Sequence, residues 1–365
     1  EGLGCLKLTP FKCRVAITKP VRIEVRDGLF RPSVENAPTD REVLESIISA
    51  HPGETGRKLK ALAESRIARN RIDALLAQGN IYGTAVDYFN NYSVSLGIEI
   101  IYADFKNIQQ LEDILKQKKN IRLIYTETPS NPTLNCYNLK SIAQLAKKYQ
   151  IKTAVDNTFA SPYLQQPFKF GIDFIVHSAT KYLNGHGNAL GGFLVGTDIK
   201  FMQDAVWKIR KLNGTIAAPF DAWLLNAGMK TLALRMDKHC ENTLAIANFL
   251  QTHRSISHVN YLGLKRNREH SLAKKQMKNF GGVLSFELKG GYKAGIKLMQ
   301  KIKFCQLTAS LGTTDTLIQH PVSMSHSFVP KTQREKFGIT EGLVRLSVGL
   351  EDVQDILSDL NQALK

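Results

Sequence analysis

The sequence predicts an α/β protein, with a large domain on a mostly parallel sheet followed by a smaller α+β C-terminal domain. Three observations carry this. From Asn91 onward, short apolar strands alternate with amphipathic helices, the cadence of a parallel sheet covered on both faces. Two of those strands run out into chemistry-bearing side chains, Asp156 and Lys181, and strand ends of this kind border the ligand crevice of open α/β sheets. Towards the C-terminus the pattern changes: Val283–Leu288 alternates as a half-buried strand does, and the chain closes on a helix.

Length and composition set the bounds. A chain of 365 residues is long for one compact core, so two or more domains are expected. No run of eighteen apolar residues occurs, and the N-terminus lacks the zones of a signal peptide, so no membrane association is expected and the cytoplasm is the expected compartment. The net charge of +17 invites a nucleic-acid reading. The basic residues are spread along the chain among acidic ones, however, and no nucleic-acid motif accompanies them, so none is expected. Five scattered cysteines without a Cys-x-x-Cys pair argue against a disulfide framework or a zinc site. His320 and His326 lack carboxylate or thiol company, read as packing or surface residues, and leave no metal expected.

The elements follow in order. Residues 1–40 read as an N-terminal arm, with β character over 15–25 and four prolines as punctuation. Residues 42–50 and 56–78 read as helices, the second amphipathic with a basic face. Strands are expected at 98–102, 121–126, 151–158, 174–179 and 191–196, with helices at 108–119 and 139–149 between them. The helix at 139–149 has apolar residues at 139, 142, 143 and 146 and lysines in its last turn. Further strands are expected at 256–261, 283–288 and 343–349, and a final helix at 352–364 with an acidic start.

A strand-end acid, Asp156, and a strand-end lysine, Lys181, flanked by the hydroxyls of Ser178 and Thr180, suit pyridoxal phosphate (PLP). The lysine forms a Schiff base with the cofactor aldehyde, the acid keeps the pyridine nitrogen protonated, and the hydroxyls hold the phosphate. Taken singly, each has a plainer reading: a solvated strand-end lysine, or an aspartate that caps a turn. Tyr82 after a strand reads as packing or chemistry, and Asn131 as a loop cap or a ligand contact. Arg345 stands amid apolar neighbours and needs a carboxylate, either from the protein or from a substrate.

The runs Val155-Asp156-Asn157-Thr158 and Ser178-Ala179-Thr180-Lys181-Tyr182 resemble the signature of the Cys/Met-metabolism family of PLP enzymes. The resemblance extends from about Ile81 to the C-terminus and is nearest to the methionine γ-lyase branch in residues 315–321 and 338–352. It implies a PLP-dependent transferase fold of type I, like aspartate aminotransferase, with a PLP-binding domain at 41–230 and a C-terminal domain at 231–365. It implies that Tyr82 stacks on the cofactor and protonates a leaving group, that Asn131 lies near the cofactor's phenolic oxygen, and that Arg345 and Ser310 bind the substrate carboxylate. A homotetramer built from dimers, each site completed by its neighbour, is also implied.

The chain departs from the family at several points. No Tyr-x-Arg clamp precedes residue 120, and Arg31 is the nearest substitute. Ser65-Arg66-Ile67 stands where Ser-Gly-Met is usual, Thr84 where methionine γ-lyases have Cys, and Asn188 where Asp is usual. The expected activity is elimination of a thiol from methionine, homocysteine or cystathionine. Two alternatives stay open: γ-replacement on an activated homoserine, and a paralogue with a damaged cofactor site.

Overall fold

The computed structural model describes residues 23–26, 29–32, 73–327 and 331–365. It divides into residues 1–71 and 72–365. In the first unit the described residues form one antiparallel pair, β1 (Ile23–Arg26) and β2 (Leu29–Pro32). Arg31 lies in β2, whose side chains are outside the described set. The helix expected at 42–50, most of the one at 56–78, and Ser65 and Arg66 also fall outside the described residues.

In the second unit the larger sheet has six strands in the order β4-β3-β5-β6-β7-β8. These are β3 (Ala74–Gln78), β4 (Glu99–Ala103), β5 (Ile121–Glu127), β6 (Lys152–Asp156), β7 (Phe174–Ser178) and β8 (Gly192–Gly196). All neighbours pair in parallel except β7 and β8. The chain steps from β3 outward to β4 and then returns to β5 on the other side of β3, so the winding reverses there. The crevice at such a reversal is where open α/β sheets bind ligands.

One expectation fails in this sheet. Ala74–Gln78 was expected to end a helix and is instead β3, with all five residues buried. Leu75, Leu76 and their neighbours suit either period in so short an apolar run, and pairing with β4 and β5 on both sides decides it.

The covering helices match their patterns. A short helical turn, α1 (Gly83–Asp87), follows β3. In α2 (Ile108–Gln117) the Asn107 side chain accepts from the Gln110 N–H at 3.0 Å, while Leu111 and Leu115 face inward. In α3 (Leu139–Lys148) Asn138 caps Ser141 at 3.1 Å, and Leu139, Ile142, Ala143 and Ala146 are all buried, the face that the spacing predicted.

Two helices follow the sheet, α4 (Pro219–Met229) and the 21-residue α5 (Leu232–Thr252), whose Met236, Cys240, Ile246 and Leu250 enter the main core. The second sheet has five strands in the order β11-β12-β13-β10-β9. They are β9 (Ile256–Asn260), β10 (Val283–Leu288), β11 (Gln306–Leu307), β12 (Leu317–Gln319) and β13 (Leu343–Ser347), with α6 (Gly291–Lys301) and α7 (Val353–Ala363) packed with them. Asp352 caps α7 by accepting from the Gln354 N–H at 2.8 Å. Glu351 has a different job from the expected helix start: it accepts from the Thr316 hydroxyl at 2.8 Å and ties down the chain leading into β12.

Alternation along β13 positions the site. Val344 and Leu346 join the core cluster, so Leu343, Arg345 and Ser347 face the other way. His320 and His326 are packing residues, both buried. Cys136, Cys240 and Cys305 are buried free thiols. No helix among the described residues is long and apolar enough to cross a membrane.

Candidate active site

The carboxyl ends of β5, β6 and β7 supply Glu127, Asp156 and Ser178, each the last residue of its strand. Tyr82 follows β3 and opens α1, while Thr180 and Lys181 lie in the turn after β7. With Asn131, Thr158, Leu311 and Arg345 these residues line a cavity of about 250 Å3. Ser310 joins through a hydrogen bond, its Oγ accepting from Lys181 Nζ at 3.0 Å. All eight side chains singled out in the sequence therefore converge, although 263 positions separate Tyr82 from Arg345.

Lys181 is held by its surroundings on three sides. Its backbone N–H donates to Ser178 O at 3.2 Å, closing the turn. Gly312 passes so close that a Cβ there would stand 2.9 Å from the Tyr182 nitrogen and 3.2 Å from the Lys181 Cβ, and its φ of +79° is a conformation that suits glycine. Arg235 of α5, itself buried, donates to Tyr182 O at 2.8 Å and to Gly228 O at 2.7 Å, clamping the turn to α4. Burial, with repulsion from the Arg345 guanidinium, lowers the Lys181 amine to about 8. Such an amine has a sizeable neutral fraction near neutral pH, which a nucleophile or base needs.

Asp156 accepts from the Thr158 N–H at 2.9 Å and from the Tyr125 hydroxyl at 3.4 Å. Burial raises its carboxyl above the ordinary value despite those bonds. A buried acid of this kind gains from a cationic ring N–H brought to it. Ser178 lines the cavity, and its N–H donates to Thr158 Oγ1 at 2.8 Å. Thr180 also lines it, with its hydroxyl oxygen accepting from the Gly191 N–H at 3.1 Å.

Arg345 is 1% exposed and meets only neutral acceptors: Asn131 Oδ1 at 3.1 Å, Ala309 O at 3.0 Å and Ser310 O at 2.5 Å. Among the described residues no carboxylate lies within ion-pairing distance of it, so the protein carboxylate that its burial seemed to require is absent there. Burial lowers its guanidinium to about 10, with the Tyr182, Tyr82 and Glu127 groups opposing the shift. A fixed cation without an anion is a receptor for one.

Glu127, Arg235 and Gln319 were not legible as site residues. Glu127 had a signal, since it ends an apolar strand as Asp156 does. Its Oε2 accepts from the Tyr82 N–H at 2.8 Å and its Oε1 from the Asn131 N–H at 2.6 Å, joining two lips of the cavity. Nothing in the local sequence marked Arg235 or Gln319.

Taken together, a depressed amine, a buried acid at the carboxyl end of the neighbouring strand, hydroxyls beside the amine, an exposed tyrosine and an unpaired guanidinium can hold an aromatic aldehyde cofactor with a basic ring nitrogen. The guanidinium is left for a carboxylate substrate.

The chain matches the family described as Cys/Met metabolism PLP-dependent enzyme over residues 65–365. It is 43% identical over 294 residues to the L-methionine gamma-lyase of Fusobacterium nucleatum subsp. nucleatum, covering 80% of this chain and 74% of that one. It is 39% identical over 293 residues to the cystathionine beta-lyase of Coxiella burnetii, covering 80% of this chain and 75% of that one. Among solved structures, the cystathionine gamma-lyase of Lactobacillus plantarum, complexed with L-serine, superposes with a TM-score of 0.76 at 35% identity, covering 80% of this chain and 76% of that one.

Proposed function

The chain belongs to the Cys/Met metabolism PLP-dependent enzyme family, and from that membership we propose how its site eliminates a thiol from a sulfur amino acid. The protein is a PLP-dependent carbon–sulfur lyase of fold type I. The finer reading, that methionine, homocysteine or cystathionine is cleaved to a 2-oxo acid, ammonia and a thiol, rests on one observation above the rest. Lys181, Asp156 and Arg345 line a single cavity, with the lysine amine lowered and the arginine unpaired by any described carboxylate.

Each residue has an assigned part. Lys181 would hold the cofactor aldehyde, Asp156 the ring nitrogen, Ser178 and Thr180 the phosphate end, and Tyr82 the ring face. When bound, the cofactor supplies an electron sink for negative charge developing on the substrate. Arg345 grips the substrate carboxylate through paired N–H donors, with the Ser310 hydroxyl beside it. Asn131, bonded to Arg345 Nη1, orients the guanidinium and would meet the cofactor's phenolic oxygen. The neutral Lys181 amine takes up the Cα proton, as a base with its lowered affinity for protons can near pH 8. The Tyr82 hydroxyl gives a proton to the departing sulfur. The apolar walls formed by Phe159 and Leu311 limit water at the reacting atoms.

The assembly proposed is a homotetramer of paired dimers. β8 supports it: successive strand residues point to opposite faces, yet Phe193, Leu194 and Val195 are all exposed. Leu212 is 82% exposed, and Trp223 and Leu234 are exposed as well, more large apolar surface than a lone soluble chain usually leaves uncovered. Light scattering on a sizing column measures this, and a monomer would overturn it. The cytoplasm is the proposed compartment, supported by three buried free thiols that suit a reducing milieu.

The test is borohydride reduction of the PLP-loaded protein, peptide mapping of the trapped lysine, and product analysis. Trapping at Lys181, with 2-oxo acid released from methionine or cystathionine and lost in Lys181→Ala, is the expected result. Product only from an acylated homoserine plus a thiol would replace elimination by γ-replacement. Absence of any trapped lysine in excess PLP would sink the site assignment.

A further inference from the structure

We propose that Gln319 is a positioning residue that sets the strength of the substrate-carboxylate subsite, because it cradles Arg345 with a neutral oxygen. This rests on the reading of Arg345 as the carboxylate receptor. Gln319 ends β12 and stands directly opposite Arg345 in the antiparallel register with β13. It is fully buried. With its amide oxygen towards the guanidinium, that oxygen lies against the guanidinium, 2.9 Å from Nη1, 3.0 Å from Nε and 3.1 Å from Nη2. The amide nitrogen then donates to Ser325 Oγ at 3.2 Å. The opposite orientation would press amide protons against guanidinium protons, so the network selects one arrangement.

Beyond the amide the chain of bonds continues. Ser325 Oγ accepts from Gln319, so its own proton goes to His326 Nδ1 at 2.9 Å. His326 is 2% exposed, and burial, helped by the Arg345 and Arg334 charges, lowers its imidazole to about 4. It is therefore neutral and available as an acceptor at neutral pH. Gln319, Ser325 and His326 form a relay without a net charge, and that relay fixes which end of the amide Arg345 meets. Glutamate at the same place would fit the volume and set an oxygen against the same guanidinium. It would also neutralise the cation that the substrate carboxylate needs, which is the physical reason an amide does a job here that an acid cannot.

The full-length PLP-loaded protein is titrated calorimetrically with L-norleucine, an unreactive amino acid without sulfur, and with 2-aminohexan-1-ol, which carries a hydroxymethyl group in place of the carboxylate. In the unsubstituted protein the acid binds more tightly than the alcohol. Gln319→Glu removes about tenfold to a hundredfold of that preference, the range expected for losing charge-assisted bonds. On a cleavable substrate it raises KM by the same factor and leaves kcat within about threefold. Ser325→Ala, which frees the amide to turn, shifts the preference in the same direction by less. A role in packing alone would lower the melting temperature and leave the acid-over-alcohol preference intact.

Retention of that preference in Gln319→Glu overturns the inference. If that variant does not fold, retention in Ser325→Ala does so instead. Equal binding of acid and alcohol to the unsubstituted protein would overturn the reading of Arg345 itself, a separate result.

Discussion

Glu127 and Asp156 end neighbouring parallel strands and stand side by side in register, two carboxyls at the floor of one cavity. Burial raises both above their ordinary values, and at Glu127 the Asp156 charge adds to the effect. Their bonds separate their roles. One oxygen of Asp156 accepts the Thr158 N–H and the other only the long Tyr125 hydroxyl bond at 3.4 Å, whereas both oxygens of Glu127 accept backbone N–H groups, from Tyr82 and Asn131.

That division predicts the outcome of Glu127→Gln. The amide keeps one acceptor and turns a donor towards the N–H of either Tyr82 or Asn131, so one lip of the cavity loosens. A backbone donor left unpaired costs about 1–3 kcal/mol. Steady-state kinetics should show kcat reduced about tenfold or more, with the lysine still trappable by borohydride. Unchanged kcat would show that the two lips hold without this carboxylate.

Lys181 sets a pH dependence. Its neutral form, the one that attacks an aldehyde, accumulates as pH rises through about 8. The rate of borohydride-trappable PLP capture by the cofactor-free protein should therefore rise with pH and level off above about 8, well below the ordinary lysine range. Arg345→Gln removes a neighbouring positive charge, favours the ammonium form and moves the inflection to higher pH. Burial is the larger cause and stays, so the move is partial. An inflection near 10.5 in the unsubstituted protein would contradict the depressed amine.

Arg345→Lys keeps the charge and loses the fork. An ammonium cannot reach Asn131, Ala309 and Ser310 while presenting two parallel donors to a carboxylate. KM for the amino acid should rise about tenfold to a hundredfold, with PLP absorbance retained. Equal KM values would remove Arg345 from the carboxylate subsite.

Stability has its own probe, away from the site. Asp359 of α7 accepts the N–H groups of Lys303, Phe304 and Cys305 at 2.9 to 3.0 Å. Burial opposes ionisation there, yet those three bonds hold the carboxyl below its ordinary value. A depressed folded value means that this stability is present above the unfolded carboxyl range and is lost as pH falls through the folded value. Asp359→Asn turns amide protons towards at least one of the donors and should lower stability at pH 7 by about 1–3 kcal/mol. The gap to the unsubstituted protein should narrow below about pH 4. Thermal melts at both pH values measure it.

Local sequence was sufficient for what depends on period and strand ends. The buried face of α3, the cap of α7 and the placement of Asp156 at a strand terminus and of Lys181 just beyond another all follow from 3.6-residue or two-residue alternation and from residue chemistry. The run at 74–78 was not decided that way. Four apolar or small residues and a glutamine fit a helix or a buried strand equally, and only pairing on both edges selects β3.

The sequence alone determined that an amine, an acid and an arginine of the right kinds are present, because those identities are written in the chain. Which neutral groups surround the arginine was decided by register across β12 and β13, which brings Gln319 to Arg345 over 25 residues of intervening chain. Electrostatics was decided there too. A side chain's proton affinity depends on its burial and on the charges beside it, and neither exists until the sheets close around the cavity.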